Sequence, residues 1–263
     1  MSEHPIAARW RSLRGNAVRR AALIPYLTAG FPTPALSLEA LRVVADAGAD
    51  FIEVGIPFSD PLADGPTIQR STQAALDQGM TAARVLEQIH RAALAVPVIV
   101  MTYLNPVMAF GVERFVREAA AAGVSGLILT DFPAGADPDI EALVAASPLV
   151  WIRLIAPTTG PERLTRAVHG ASGFLYLISR LGVTGARDQV PADLAQHVAR
   201  VRVASPLPLA VGFGIATPAQ ARATATLADG VVVGSAIVEA LGRDGLGGAE
   251  RLVRELAAAV RAP

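Results

Sequence analysis

Eight short apolar runs punctuate the chain, at Leu23–Thr28, Phe51–Gly55, Val98–Thr102, Leu127–Thr130, Val150–Ile155, Phe174–Ile178, Leu209–Gly212 and Val231–Val233. Each is continuous instead of alternating, the pattern of a parallel strand covered on both faces. Between them lie segments of helical spacing such as LSLEALRVVADAG and VERFVREAAAAG, each ending at a glycine that can take the left-handed conformation after the last turn. The same helix–Gly–strand phrase recurs in ADAGADFIEVG, AAAGVSGLILTD and VHGASGFLYLIS, so one βα unit repeats. Eight such units in about 250 residues predict an α/β fold, a (β/α)8 TIM barrel, as a single domain over residues 1–263. Helical segments at Ile6–Leu13, after the second strand at Thr81–Ala95, and after the eighth at Ala236–Leu241 are extra to the repeat. An open doubly wound sheet would need a glycine-rich dinucleotide turn after its first strand, where this chain has TAGFPTP.

Composition narrows the chemistry. With 52% hydrophobic and 17% charged residues in 263, the chain can bury a large core. Acidic and basic residues balance at 23 each, so nothing in the net charge calls for a nucleic acid or an anionic membrane. The basic run RWRSLRGNAVRR has helical spacing and reads as a solvated helix face. AALAVPVIVMTYL, interrupted by Pro97, is too short to span a bilayer. The expectation is a soluble cytoplasmic protein.

Cysteine is absent, which excludes disulfides and thiolate chemistry. Lysine is absent too, all cationic side chains being Arg, which excludes Schiff-base catalysis by this chain. His4, His90, His169 and His197 fall in a tail or in predicted helices without ligand-like spacing, so no metal site is expected.

Barrel active sites lie at the carboxyl ends of the strands, and the chemistry-bearing oddities cluster there. In FIEVGIPFSDPLADGPTIQ, residues 51–69, Glu53 shares an inward face with Phe51 and Gly55. One reading of a lone buried Glu is a carboxylate paired with a neighbouring Arg for stability. The other is functional: burial raises its pKa into the range of a general acid and base, while Asp64 in the following loop stays ionised. After the seventh strand comes GFGIATP and after the eighth GSAIVEA, with Gly234 and Ser235 opening an extra helix. Loops after strands seven and eight plus a helix N-terminus form an anion site, and we expect phosphate there. The loop after the sixth strand, with Gly182 and Gly185 around Thr184, has the length of a lid, and Thr184 is placed to bond Asp64 or Asp60. Tyr176 on that strand reads either as core or as part of the site.

These residues carry a resemblance. FIEVGIPFSDPLADGPTIQ resembles the signature of the tryptophan synthase α chain family, as do LTAG at 27–30, NPV at 105–107, APTT at 156–159, SRLGVTG at 179–185, GFGI at 212–215 and GSAIV at 234–238. The match runs in order over nearly the whole chain; the acid motif is highly specific, whereas the glycine motifs are shared with other phosphate-binding barrels. The resemblance implies reversible cleavage of indole-3-glycerol phosphate to indole and glyceraldehyde 3-phosphate, without metal or Schiff base. It implies that Glu53 is the general acid and base, that Asp64 holds the indole N–H and stabilises the developing cation, and that Tyr176 is an accessory tyrosine. It places phosphate on the backbone N–H groups of Gly185, Phe213, Gly214, Gly234 and Ser235, with the Ser235 hydroxyl adding a bond.

The resemblance also implies a pyridoxal-phosphate-dependent β chain as partner in an α2β2 assembly, with no cofactor on this chain. Asp60, Pro61, Asn105, Pro106 and Pro133 match the partner-facing regions. The chain departs from the family pattern at Phe31, where Asp is common, and at AGAD after the fourth strand, where acidic residues are common. Two other readings stand beside the main one: a free-standing lyase that releases indole, and a weakly catalytic regulatory subunit of the β chain.

Overall fold

Continuous apolar runs need partners for their backbone and cover on both faces, and a ring of parallel strands wrapped by helices supplies both. The computed structural model describes residues 3–15, 21–179 and 193–261. Among them, β1 (Ala22–Thr28) lies between β2 (Ile52–Gly55) and β9 (Gly230–Val233). The sheet continues on one side through β3 (Val98–Thr102), β4 (Val124–Leu129) and β5 (Val150–Trp151). On the other side it continues through β8 (Leu209–Gly212), β7 (Leu175–Ile178) and β6 (Arg153–Ile155). Every pairing is parallel.

The fifth strand departs from expectation. The run expected to be continuous from Val150 to Ile155 breaks at Ile152: Val150 and Trp151 pair with Gly126 and Leu127, whereas Arg153 to Ile155 pair with Leu175 to Leu177. The Ile152 N–H still reaches the Leu127 carbonyl at 3.0 Å. One strand in two halves thus joins the two ends of the sheet, and the eight-stranded barrel is made.

The helical layer is richer than the repeat predicts. After α1 (Pro5–Arg14) and α2 (Pro34–Asp46), two helices follow β2, α3 (Pro66–Asp77) and α4 (Ala82–Ala92). The NPV motif lies inside α5 (Leu104–Phe110), which leads into α6 (Val112–Ala121). Pro106 is tolerated because it occupies the first turn, where its missing N–H breaks no helix bond. Next come α7 (Pro138–Ala145), α8 (Pro161–His169), α9 (Leu194–Ala204) and α10 (Pro218–Ala225). The expected short helix at Ala236–Leu241 is the start of α11 (Ser235–Arg261), which breaks at Gly245 (φ 68°, ψ −160°).

Inside the barrel, α1 closes the end where the strands begin. His4 caps it by accepting from the Ile6 N–H, and Ile6, Trp10 and Leu13 are buried. The Trp10 ring sits 4.9 Å from Phe51 and 5.6 Å from Phe174, both at strand starts. Buried aromatics of this size dominate core energetics, so that end is filled. The opposite end, where the strands finish, carries Thr28, Thr102, Tyr103 and Ser179.

Candidate active site

Asp50, Glu53 and Asp64 sit in or beside the ends of β2 or in the loop that follows it, and their surroundings differ. Asp50, fully buried at the filled end, accepts from Arg9 at 2.5 Å and from the Leu23 N–H at 2.9 Å, with Arg261 at 3.6 Å. That is how a buried charge is normally kept. Glu53, three residues on, is 1% exposed and neither oxygen has a hydrogen-bond partner among the described residues. The Arg-paired reading of Glu53 therefore fails there. Burial alone lifts its carboxyl from the ordinary 4.5 to about 8, so it is mostly protonated at neutral pH.

Register fixes what surrounds it. Glu53 lies beside Tyr26 on β1 and Ile99 on β3, while Tyr176 rises from β7 into the same interior cluster. Two strand-end glycines make room for the phenols. A Cβ on Gly55 would fall 2.0 Å from the Tyr26 hydroxyl, and one on Gly212 would fall 2.2 Å from the Tyr176 hydroxyl. Thr28 contacts the Tyr26 hydroxyl at 3.4 Å and Ser71 of α3 at 2.7 Å.

Asp64 is carried by the loop after β2 and is half-buried. The Tyr103 hydroxyl donates to its Oδ2 at 3.0 Å and accepts from the Ala63 N–H, also at 3.0 Å. Burial raises Asp64 from 3.8 to about 6, against the lowering effect of the Tyr103 bond. Other elements cover Asp64, and it remains mainly ionised at neutral pH, as expected of the loop carboxylate. Burial first, then the Asp64 charge, raises the hydroxyls of Tyr26 and Tyr103; burial first, then Glu53 and Asp64, raises Tyr176. All three phenols stay protonated and able to donate.

Across the mouth, Phe213 and Gly214 both adopt positive φ, 76° and 78°, unusual for a residue such as Phe213. Ser179, at the end of β7, holds this turn twice: its hydroxyl donates to the Phe213 carbonyl, and its N–H donates to the Gly212 carbonyl at 2.8 Å. Next to it, the Ile237 and Val238 N–H groups bond the Gly234 carbonyl, so α11 begins there and its leading amides point outward. The arrangement can take an anion, as expected of Phe213, Gly214, Gly234 and Ser235. Gly182, Thr184 and Gly185 lie outside the described residues.

On the rim, Asp60, Asn105 and Pro133 are exposed and Pro61 and Pro106 are half-buried. Ser59 bonds Asp60 at 2.5 Å. Between them Leu62 is 93% and Met108 55% exposed, an apolar contribution that the motifs did not single out. At the two departures, Phe31 packs on α11, where a Cβ on Gly242 would lie 2.9 Å from its ring. Asp137 of the AGAD loop caps α7 through the Asp139 and Ile140 N–H groups.

Tyr26 and Tyr103 escaped sequence reasoning. Tyr26 shares the inward face of β1 with Ile24 and Thr28, and Tyr103 directly follows the third apolar run, so position alone offered a signal.

The model of the family described as tryptophan synthase alpha chain matches residues 14–262. This chain belongs to the tryptophan synthase alpha chain family. A tryptophan synthase alpha chain of Chloroflexus aurantiacus is 45% identical over 257 residues, covering 95% of this chain and 97% of the relative. One of Gluconacetobacter diazotrophicus is 46% identical over 259 residues, covering 96% and 94%. Among solved structures, a chain of Mycobacterium tuberculosis tryptophan synthase superposes with a TM-score of 0.91 at 42% identity, covering 100% of each chain. The tryptophan synthase subunit alpha of Legionella pneumophila gives 0.90 at 34% identity, covering 98% of this chain and 99% of that one. The similarity extends over the barrel, including the strand ends that hold Glu53 and Asp64.

Proposed function

We propose that this tryptophan synthase alpha chain reversibly cleaves indole-3-glycerol phosphate to indole and D-glyceraldehyde 3-phosphate, with Glu53 as acid and base and Asp64 as the cation-stabilising carboxylate. The observation that carries the reading is Glu53, buried with no partner and mostly protonated at neutral pH, in the same mouth as an ionised Asp64. Protonated Glu53 delivers its proton to C3 of the indole ring. The ring becomes a cation whose N–H bonds the Asp64 carboxylate. Glu53, now a carboxylate, takes the proton of the glycerol hydroxyl adjacent to the ring; the C–C bond then breaks, its electrons return to the indole, and the oxygen becomes the aldehyde carbonyl. Tyr176 supplies a hydroxyl near the reacting carbon. The backbone of Phe213, Gly214, Gly234, Ser235 and Gly185 holds the phosphate.

On this reading the chain itself carries no cofactor and acts in the cytoplasm beside a β chain, which holds pyridoxal phosphate, in an α2β2 assembly. The rim formed by Asp60, Pro61, Asn105, Pro106 and Pro133 faces that partner, and Thr184 belongs to the lid.

The pH dependence tests the division of labour. Asp64 must be ionised, so kcat/KM falls as pH drops through about 6; Glu53 must be protonated, so it falls again as pH rises through about 8. Indole release measured across that range should trace a bell between these limits. A profile flat through both values would remove the acid and base assignment.

A further inference from the structure

The hydroxyl of Tyr103 touches the loop after β2 at two points, and its ring touches it at a third. It donates to Asp64 Oδ2 and accepts from the Ala63 N–H, each at 3.0 Å, while the ring lies 5.2 Å from Phe58. Tyr103 itself is buried at the end of β3 and serves as the residue from which α5 starts. The next residue is also fixed: the Leu104 N–H donates to Asp131 Oδ1 at 2.7 Å, and the Thr130 N–H donates to the Thr102 carbonyl at 2.9 Å. The loops after β2, β3 and β4 are therefore tied together through this one segment.

A carboxylate on a loop has two soft torsions and two equivalent oxygens, and a bond to a buried phenol removes that freedom. We propose that Tyr103 is a positioning residue that holds Asp64 by Oδ2, so that Oδ1 is the oxygen offered to the indole N–H. The inference rests on the charge-stabilising role given to Asp64 above. It adds that the loop's rotamer is set from β3, by a residue that need not touch the substrate. The groups that share this mouth are Glu53 on β2, Tyr26 on β1 and Tyr176 on β7. None of them hydrogen-bonds Asp64, which leaves Tyr103 as its side-chain donor among the described residues.

The test is a double-mutant cycle read in kcat, KM and pH. Tyr103→Phe keeps the ring against Phe58 and removes only the hydroxyl. In the otherwise wild-type chain it should lower kcat for indole release about tenfold, the effect of losing one hydrogen bond to a charged group, with KM changed less than about twofold. Because the Tyr103 bond lowers the Asp64 pKa, its loss should also move the acid limb of the pH profile upward. In an Asp64→Asn background the same substitution should change kcat by less than about twofold, because the charged partner is already gone. An equal loss in both backgrounds would show that Tyr103 acts on loop packing and not through Asp64, and no loss in either would remove its role. A wild-type kcat for Asp64→Asn alone would overturn the Asp64 role itself, and with it the positioning by Tyr103.

Discussion

Glu53→Gln leaves a chain that folds, binds phosphate ligands and releases almost no indole. The amide keeps the shape of the carboxyl at a site 1% exposed, but it can neither give the ring its proton nor take one from the glycerol hydroxyl. Removal of a positioned acid and base costs about 10²- to 10⁴-fold in turnover, and here one group does both jobs, so the loss should lie at the upper end. The same substitution should stabilise the fold. Glu53 titrates at about 8 in the native chain and near 4.5 when unfolded. As pH rises from the lower value to the higher, the unfolded chain sheds this proton while the native chain keeps it, and stability declines by about 1.4 kcal/mol per unit. At pH 8 the accumulated cost is on the order of a few kcal/mol, and Gln does not incur it. The variant should therefore unfold at a higher temperature than wild type at pH 8, with the gap closing at acid pH. Substantial residual turnover, or a lower unfolding temperature at pH 8, would contradict the view of Glu53 as a destabilising group retained for chemistry.

Asp64→Asn is the second large effect. Asparagine can still accept from Tyr103 and from an indole N–H, but it carries no charge to set against a cationic ring. Preorganised electrostatic stabilisation of this kind contributes about 10²- to 10³-fold, so kcat should drop by about that much while KM changes little. The part of the acid limb near pH 6 that Asp64 contributes should go with it, leaving only the substrate phosphate, whose second ionisation also falls at about pH 6. Steady-state kinetics of the purified variant decide the matter, and wild-type turnover would end the assignment.

Both residues were visible in the sequence for a physical reason. A charge inside an apolar strand breaks the pattern that makes the strand recognisable, and Glu53 does so within FIEVG. Asp64 was visible as a loop carboxylate, but its raised pKa was not, because the cover comes from residues distant in the chain such as Tyr103. The strands were legible because burial on both faces demands unbroken apolar runs, as at Val98–Thr102. For the same reason the break at Ile152 was hidden: VWIRLI is apolar enough to read as one strand, and only ring closure requires its halves to face different neighbours. The helix at Leu104–Phe110 was hidden by Pro106, which reads as a breaker anywhere but the first turn.

Ser179 shows what local sequence cannot reveal. Its motif marks the end of a strand, but its work is done on the backbone of Phe213, 34 residues away.

Indole release from indole-3-glycerol phosphate by the purified chain, alone and then with a β chain and serine, tests the central claim most directly. The account predicts measurable release by the chain alone and a sharp rise when the partner and serine are added. Fast release that the partner does not change would instead describe a free-standing lyase. No release under either condition would contradict the account and leave the barrel as a regulatory subunit.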